Sequence, residues 1–245
     1  MLAAAALLAG GGCNEQPAHR TAPPPLTTVD RIRDAERYAR ARKGSIAFAS
    51  LDEHGRMLGI NRTVRYPSAS LVKAMLLVAV LRKGEPSAAT RALLGPMITA
   101  SDNKAALRIY GEQVGDAGLY SVAHAAGMRS FAVHGALFEA ELTAEDQARL
   151  FLKIDRLVPK PRREYARSLL GGIIAPQRWG IAPVASGRHY RVFFKGGWRE
   201  GIVHQAALLE RGGQRISLAI LTTGEPSMAY GEATLAGIAA RVLAP

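Results

Sequence analysis

The chain has 245 residues, 48% hydrophobic and 21% charged, a balance that excludes disordered, collagen-like and fibrous proteins and leaves length enough for a buried core without disulfides. Lysine and arginine number 32 against 20 acidic residues, a formal charge of +12, so polyanionic partners such as nucleic acid, anionic lipid or cell-wall polymer must be weighed against where that charge sits. A single cysteine, Cys13, excludes an internal disulfide and a cysteine-based metal cluster.

Residues 1–13 read as an export segment. Met1 to Gly12 is an apolar run ending in small residues, too short to span a bilayer, and it stops at Cys13. The arrangement resembles a bacterial lipoprotein signal, which implies export and a lipid anchor on Cys13 outside the cytoplasmic membrane. It departs from that pattern in having no Lys or Arg before the run and Gly10 where such signals carry Leu. Residues 14–28, with Pro23-Pro24-Pro25, read as an extended linker, and residues 29–245 as the folded domain.

Val29, Ile32, Ala35 and Ala39 then recur at helical intervals until Arg40, Arg42, Lys43 and Gly44 stop the helix. Ser45–Ser50 alternates, Asp52 to Gly55 supplies turn residues and Met57–Ile60 returns, which is a β-hairpin. From Ser70 to about Leu170 the pattern is helical, at Leu71–Arg82, Lys104–Gln113, Leu119–Ala126, Ala144–Ile154 and Arg163–Leu170. Strand signals resume at Tyr190–Lys195, Ile202–Leu209 and Ile216–Thr222, the last two parted by Arg211-Gly212-Gly213, and a helix over Ala229 to Leu243 closes the chain. The expected fold class is α/β of the α+β kind: an antiparallel sheet built from both chain ends, flanked by N- and C-terminal helices, with an all-α lobe inserted at about 66–185.

From Ala69 to Leu81 only Ser70 and Lys73 are polar. A helix apolar around its whole circumference belongs in the core, and a spacing of three stacks Ser70 and Lys73 on one face, one turn apart. A desolvated lysine gives up its proton more readily and can take one from the serine hydroxyl, while the helix start favours a developing alkoxide. The plainer reading is an N-cap serine beside a snorkelling lysine. Two further segments, Ser101-Asp102-Asn103 before a helix and Lys195-Gly196-Gly197 ending a strand, read singly as a polar turn with a helix cap and as a hairpin end.

In this order and context the three segments resemble the class A β-lactamases and penicillin-binding proteins, the penicillin-recognising serine hydrolases, whose motifs are S-x-x-K, S-D-N and K-T-G. The likeness spans about Val29 to Leu243. It implies a β-lactamase/transpeptidase-like fold and a serine hydrolase that forms an acyl-enzyme with β-lactams or related cell-wall peptides. The alternatives on the same fold are a penicillin-binding, DD-peptidase-like enzyme and a catalytically silent cell-envelope binding protein. By this resemblance Ser70 is the nucleophile, Lys73 its activating amine, and Ser101 the relay of a proton to the leaving nitrogen. Asn103 binds the substrate's side-chain amide, Lys195 its carboxylate, and the N–H groups of Ser70 and Trp198 form the oxyanion hole, with Gly197 between Trp198 and the lysine pair. A monomer acting on a small molecule, without cofactor or metal, is implied.

The sequence also departs from the family. Gly196 replaces the Thr or Ser of K-T-G and removes a hydroxyl that bonds the substrate carboxylate; Trp198 sets a large aromatic at the mouth of the site, where it narrows the cleft or offers a stacking surface. Class A enzymes deacylate with the glutamate of an E-x-x-L-N loop, and here Glu139-Ala140-Glu141-Leu142-Thr143 offers Glu139. Thr143-Ala144-Glu145-Asp146, however, has the spacing of a capping box opening the next helix. Two readings therefore stand: Glu139 is the base, or the loop is deleted and Glu139 and Glu141 are surface carboxylates, which the capping favours.

The six histidines show no metal-ligand spacing. The densest basic cluster, Lys160-Pro161-Arg162-Arg163 with Arg156 and Arg167, has no interleaved aromatics and reads as a solvated helix end, not a nucleic-acid footprint. On an exported domain the excess charge would face anionic cell-wall polymer or lipid head groups.

Overall fold

The computed structural model describes residues 28–244; the export segment at 1–13 and the 14–28 linker up to Thr28 lie outside the described residues. Helix α1 (Thr28–Arg40) buries Ile32, Ala35 and Ala39 of the face that the sequence period predicts, while Val29, in its first turn, is exposed. Strand β1 (Ser45–Asp52) turns back into β2 (Met57–Leu58), with Ser50 opposite Leu58. Near the other chain end β5 (Arg191–Arg199), β6 (Ile202–Arg211) and β7 (Gln214–Thr223) form a meander. Its second turn is Gly212-Gly213, both at positive φ, the conformation that matches the twist of a two-residue hairpin.

β1 then pairs along β7, from Ser45 opposite Thr223 to Asp52 opposite Ile216. The result is one antiparallel sheet of order β2-β1-β7-β6-β5, assembled from both chain ends as expected. β5 is an edge strand. Eight consecutive buried residues in β6 mean that both faces of the sheet are covered, since successive side chains point to opposite faces. Helix α9 (Met228–Val242) packs against β6, β7 and α1, while α6 (Ala144–Lys153) packs against β1, β6 and β7; the Ser217 hydroxyl donates to the Ala148 carbonyl of α6 at 2.7 Å.

The inserted lobe holds β3 (Arg65–Pro67), α2 (Val72–Lys83), α3 (Ala88–Thr99), α4 (Asn103–Ile109), α5 (Gly115–Ala126), β4 (Glu141–Thr143), α7 (Arg163–Gly171) and α8 (Ile181–Ser186). α2 is buried continuously from Val72 to Leu81 and touches α3, α4, α5 and α7, as its unbroken apolar circumference requires. Four details differ from the sequence expectations. α3, which runs through Pro96, is a helix that the sequence segments do not include. β3 and β4 form a small second sheet, Arg65 opposite Thr143 and Pro67 opposite Glu141, so the lobe is not wholly helical. α4 ends at Ile109 and passes into a π-turn over Tyr110–Val114. Lys195-Gly196-Gly197 lies inside β5, which continues to Arg199, rather than ending the strand.

In the basic cluster Arg156 and Lys160 are exposed, while the other three arginines make internal contacts. Arg162 Nε donates to the Leu81 carbonyl at the end of α2 (2.7 Å), Arg163 Nε to the Val158 carbonyl (3.0 Å), and Arg167 pairs with Asp155 and Glu210 at 2.9 and 2.6 Å.

Candidate active site

From β3 the chain enters a tight turn anchored by the Ser68 N–H, which donates to the Ala140 carbonyl at 2.6 Å. Ala69 then takes φ +44°, a left-handed conformation costing an alanine ~1–3 kcal/mol. This reversal starts the 3-10 turn Ala69–Leu71, which runs directly into α2. Ser70 thus sits half-buried at the N-terminal end of a continuous helix, where the peptide dipoles favour negative charge.

One turn on, Lys73 is fully buried. Its Nζ lies 2.6 Å from both the Ser101 carbonyl and Asn103 Oδ1, 2.8 Å from Ser70 Oγ and 3.1 Å from Ser101 Oγ. Burial pushes the ammonium down to about 8, against the opposing pull of the Asp102 carboxylate. A neutral amine keeps two N–H donors; the two 2.6 Å contacts absorb both, which leaves the lone pair for the Ser70 hydroxyl.

Each residue of Ser101-Asp102-Asn103 has its own task. Asp102 caps α4, its Oδ1 accepting from the Ala105 N–H at 2.9 Å. Asn103 holds Lys73, as above. Ser101 adopts φ +61°, a second strained non-glycine residue at the site, and the turn brings both its carbonyl and its hydroxyl to Lys73. On its other side Ser101 Oγ accepts from Lys195 Nζ at 3.0 Å. Lys195 is fully buried, also donates to the Gly196 carbonyl at 2.9 Å, and is held well below the ordinary lysine range by burial and then by the charge of Lys73. Ser70, Lys73, Ser101 and Lys195 therefore form one line of hydrogen bonds across the junction between lobe and sheet.

The free edge of β5 faces the Ser70 turn. A Cβ on Gly197 would stand 2.8 Å from the Ser70 nitrogen and 3.2 Å from Ala69 Cβ, so only glycine allows this approach. A Cβ on Gly196 would meet Trp179 Cη2 and Cζ2 at 3.1 and 3.2 Å. Trp198, half-buried, stands edge-to-face with Trp179, ring centroids 5.8 Å apart.

Neither carboxylate of the Glu139–Thr143 segment reaches this line. Glu139 pairs with Arg199, Oε2 at 2.8 Å from Nη2, and that hydrogen bond holds its carboxyl below the usual range. Glu141 pairs with Arg65 at 2.8 Å. Thr143 Oγ1 accepts from the Asp146 N–H at 3.1 Å and caps α6, in keeping with a deleted loop. In place of a carboxylate, the ring of Phe138 lies over Lys73, its centroid 5.1 Å from Nζ. Phe138 and Trp179 are the site residues that sequence reasoning missed. Phe138 adjoins Glu139, the candidate base; Trp179 belongs to no motif and arrives through tertiary contact alone.

The sequence profile of the Beta-lactamase enzyme family matches residues 86–244, a span that includes Ser101 and Lys195 and begins after Ser70 and Lys73. Solved structures similar to this chain include a beta-lactamase from Sphaerobacter thermophilus DSM 20745, at 21% identity over 86% of this chain and 95% of that one, with a TM-score of 0.75. PBP-A is similar at 18% identity over 91% and 97%, TM-score 0.75. A mutant of PBP-A, in an acyl-enzyme complex with penicillin G, is similar at 18% over 90% and 97%, TM-score 0.74. A search of curated protein sequences finds no match.

Proposed function

The chain belongs to the beta-lactamase enzyme family, and from that premise we propose that it is a serine hydrolase that acylates Ser70 with β-lactams or related cell-wall peptides and releases the acyl group slowly. The observation that carries this reading is the buried Lys73 amine 2.8 Å from Ser70 Oγ, with Ser101 Oγ between it and Lys195. With the Lys73 equilibrium at about 8, about one molecule in ten holds the neutral amine at pH 7. That amine takes the Ser70 proton as Oγ bonds to the substrate carbonyl carbon. The N–H groups of Ser70 and Trp198 are assigned to the oxyanion. As the C–N bond breaks, Ser101 gives its hydroxyl proton to the leaving nitrogen and recovers one from the Lys73 ammonium, while Lys195 steadies its oxygen.

Deacylation needs a base to draw a proton from water. Phe138 lies over Lys73 and Glu139 is tied to Arg199, which supports a long-lived acyl-enzyme over an efficient lactamase. Intact-protein mass spectrometry after addition of benzylpenicillin tests this: a persistent adduct is expected, absent in Ser70→Ala. No Ser70-dependent adduct would end the reading; an adduct vanishing with rapid cephalosporin hydrolysis would restore Glu139 as base. The reading also places the enzyme outside the cytoplasmic membrane on a Cys13 lipid, which predicts fatty-acid labelling that Cys13→Ser abolishes.

A further inference from the structure

The K-T-G position of this site is rebuilt around an indole. Gly196 offers no hydroxyl, and the space its side chain would enter is taken by Trp179, whose Cη2 and Cζ2 lie within 3.1 and 3.2 Å of that point. The placement is built into the sheet. Gln205, fully buried and directly opposite Gly196 on β6, donates from Nε2 to the Trp179 carbonyl at 2.9 Å and accepts the Ile181 N–H on Oε1 at 2.6 Å. Between them Gly180 turns at φ +63°, and a Cβ there would stand 2.9 Å from Gln205 Oε1. Trp198 braces the ring edge-to-face.

Resting on the acylation reading above, we propose that Trp179 is the specificity-determining residue of this site, selecting substrates that carry an uncharged apolar group where the substrates of its relatives carry a carboxylate. The benzo edge that Trp179 presents there carries only C–H groups, so it gives a carboxylate no hydrogen bond and shuts out the water that would solvate it, while apolar and planar groups pack against it. The remaining attraction for a carboxylate is Lys195, which is wholly buried and spends two donors on Ser101 Oγ and the Gly196 carbonyl.

The chain has two tryptophans, and both stand at this corner, so tryptophan fluorescence, excited beyond the tyrosine band, reports on it alone. In Ser70→Ala protein, titration with benzylpenicillin methyl ester is expected to give binding at least as tight as that of benzylpenicillin itself. Adding Trp179→Ala with Gly196→Thr, which restores the hydroxyl and clears its space, is expected to swing the ratio roughly tenfold to a hundredfold toward the free acid, the worth of one hydrogen bond to a charged group. Trp179→Phe keeps the ring and is expected to keep the preference. Tenfold tighter binding of the acid by Ser70→Ala protein, an unmoved ratio in the combined variant, or loss of acid binding in Trp179→Phe, which would make the indole N–H a carboxylate donor, each overturns the proposal. So does fluorescence that neither ligand moves. If the ester quenches but no probe acylates Ser70 in the unmodified enzyme, the acylation reading falls and the specificity assignment stands.

Discussion

Replacing Glu225 by Gln is expected to steepen the loss of stability in mild acid. Two buried groups oppose each other there. His204, fully buried in β6, donates from Nε2 to the Pro67 carbonyl and accepts the Thr222 N–H on Nδ1, both at 3.0 Å. Burial holds its imidazole at about 4. Unfolded, it titrates near ~6.5, so between those values the unfolded chain binds the extra proton and stability is lost as pH falls. Glu225, 7% exposed, is pushed up by burial to about 7, against the opposing pull of its own backbone N–H. Unfolded, it titrates near ~4.3, so in nearly the same window the folded chain holds the extra proton and stability is gained as pH falls. Each shift is worth about 3.5 kcal/mol, at ~1.4 kcal/mol per pH unit, and across roughly pH 4.5–6.5 the two slopes oppose each other. In Glu225→Gln the histidine slope is no longer opposed: urea midpoints should show the variant losing about 2 kcal/mol between pH 6.5 and 4.5, relative to the parent. Parallel profiles for the two proteins would refute the reasoning.

In the proposed mechanism acylation of Ser70 requires neutral Lys73, so its rate should rise about tenfold per pH unit up to about 8 and level above it; a flat profile from pH 6 to 8, by time-resolved mass spectrometry, would contradict this. Gly197→Ala forces β5 away from the Ser70 nitrogen, and because ~1 Å of misplacement costs on the order of a hundredfold, labelling should slow by that order with a small change in melting temperature. Phe138→Glu puts a carboxylate beside Lys73, and the benzylpenicillin adduct should then decay at least tenfold faster, within the range of one positioned base.

Much of this was legible because the decisive chemistry lies in local pattern. A lysine within a helix otherwise apolar from Leu71 to Leu81 has nowhere to go but the core, and Lys73 is there. The Thr143 cap follows from a four-residue spacing. What escaped was set across the sheet. Gly196-Gly197 reads as a turn because glycine usually marks one; here it marks two close approaches, to Trp179 and to the Ser70 nitrogen, in mid-strand. Trp179 is aimed by Gln205, 26 residues later in sequence, a relation with no local period. β3 and β4, three residues each, are too short to display alternation, and α3 hides behind a proline that its helix tolerates.

The pairing of β1 with β7 also decides when the enzyme comes into being. Residues 45–52 wait for residues 216–223, so nearly the whole polypeptide must be made before the central pair of the sheet can close, and contacts so distant in sequence put the fold among slow folders. Lys195 reaches Ser101 only from β5, which is held by β6 and through it by β7. A nascent or truncated chain that ends before Gln214 therefore lacks the strand that holds β6, and with it the support that brings Lys195 to Ser101.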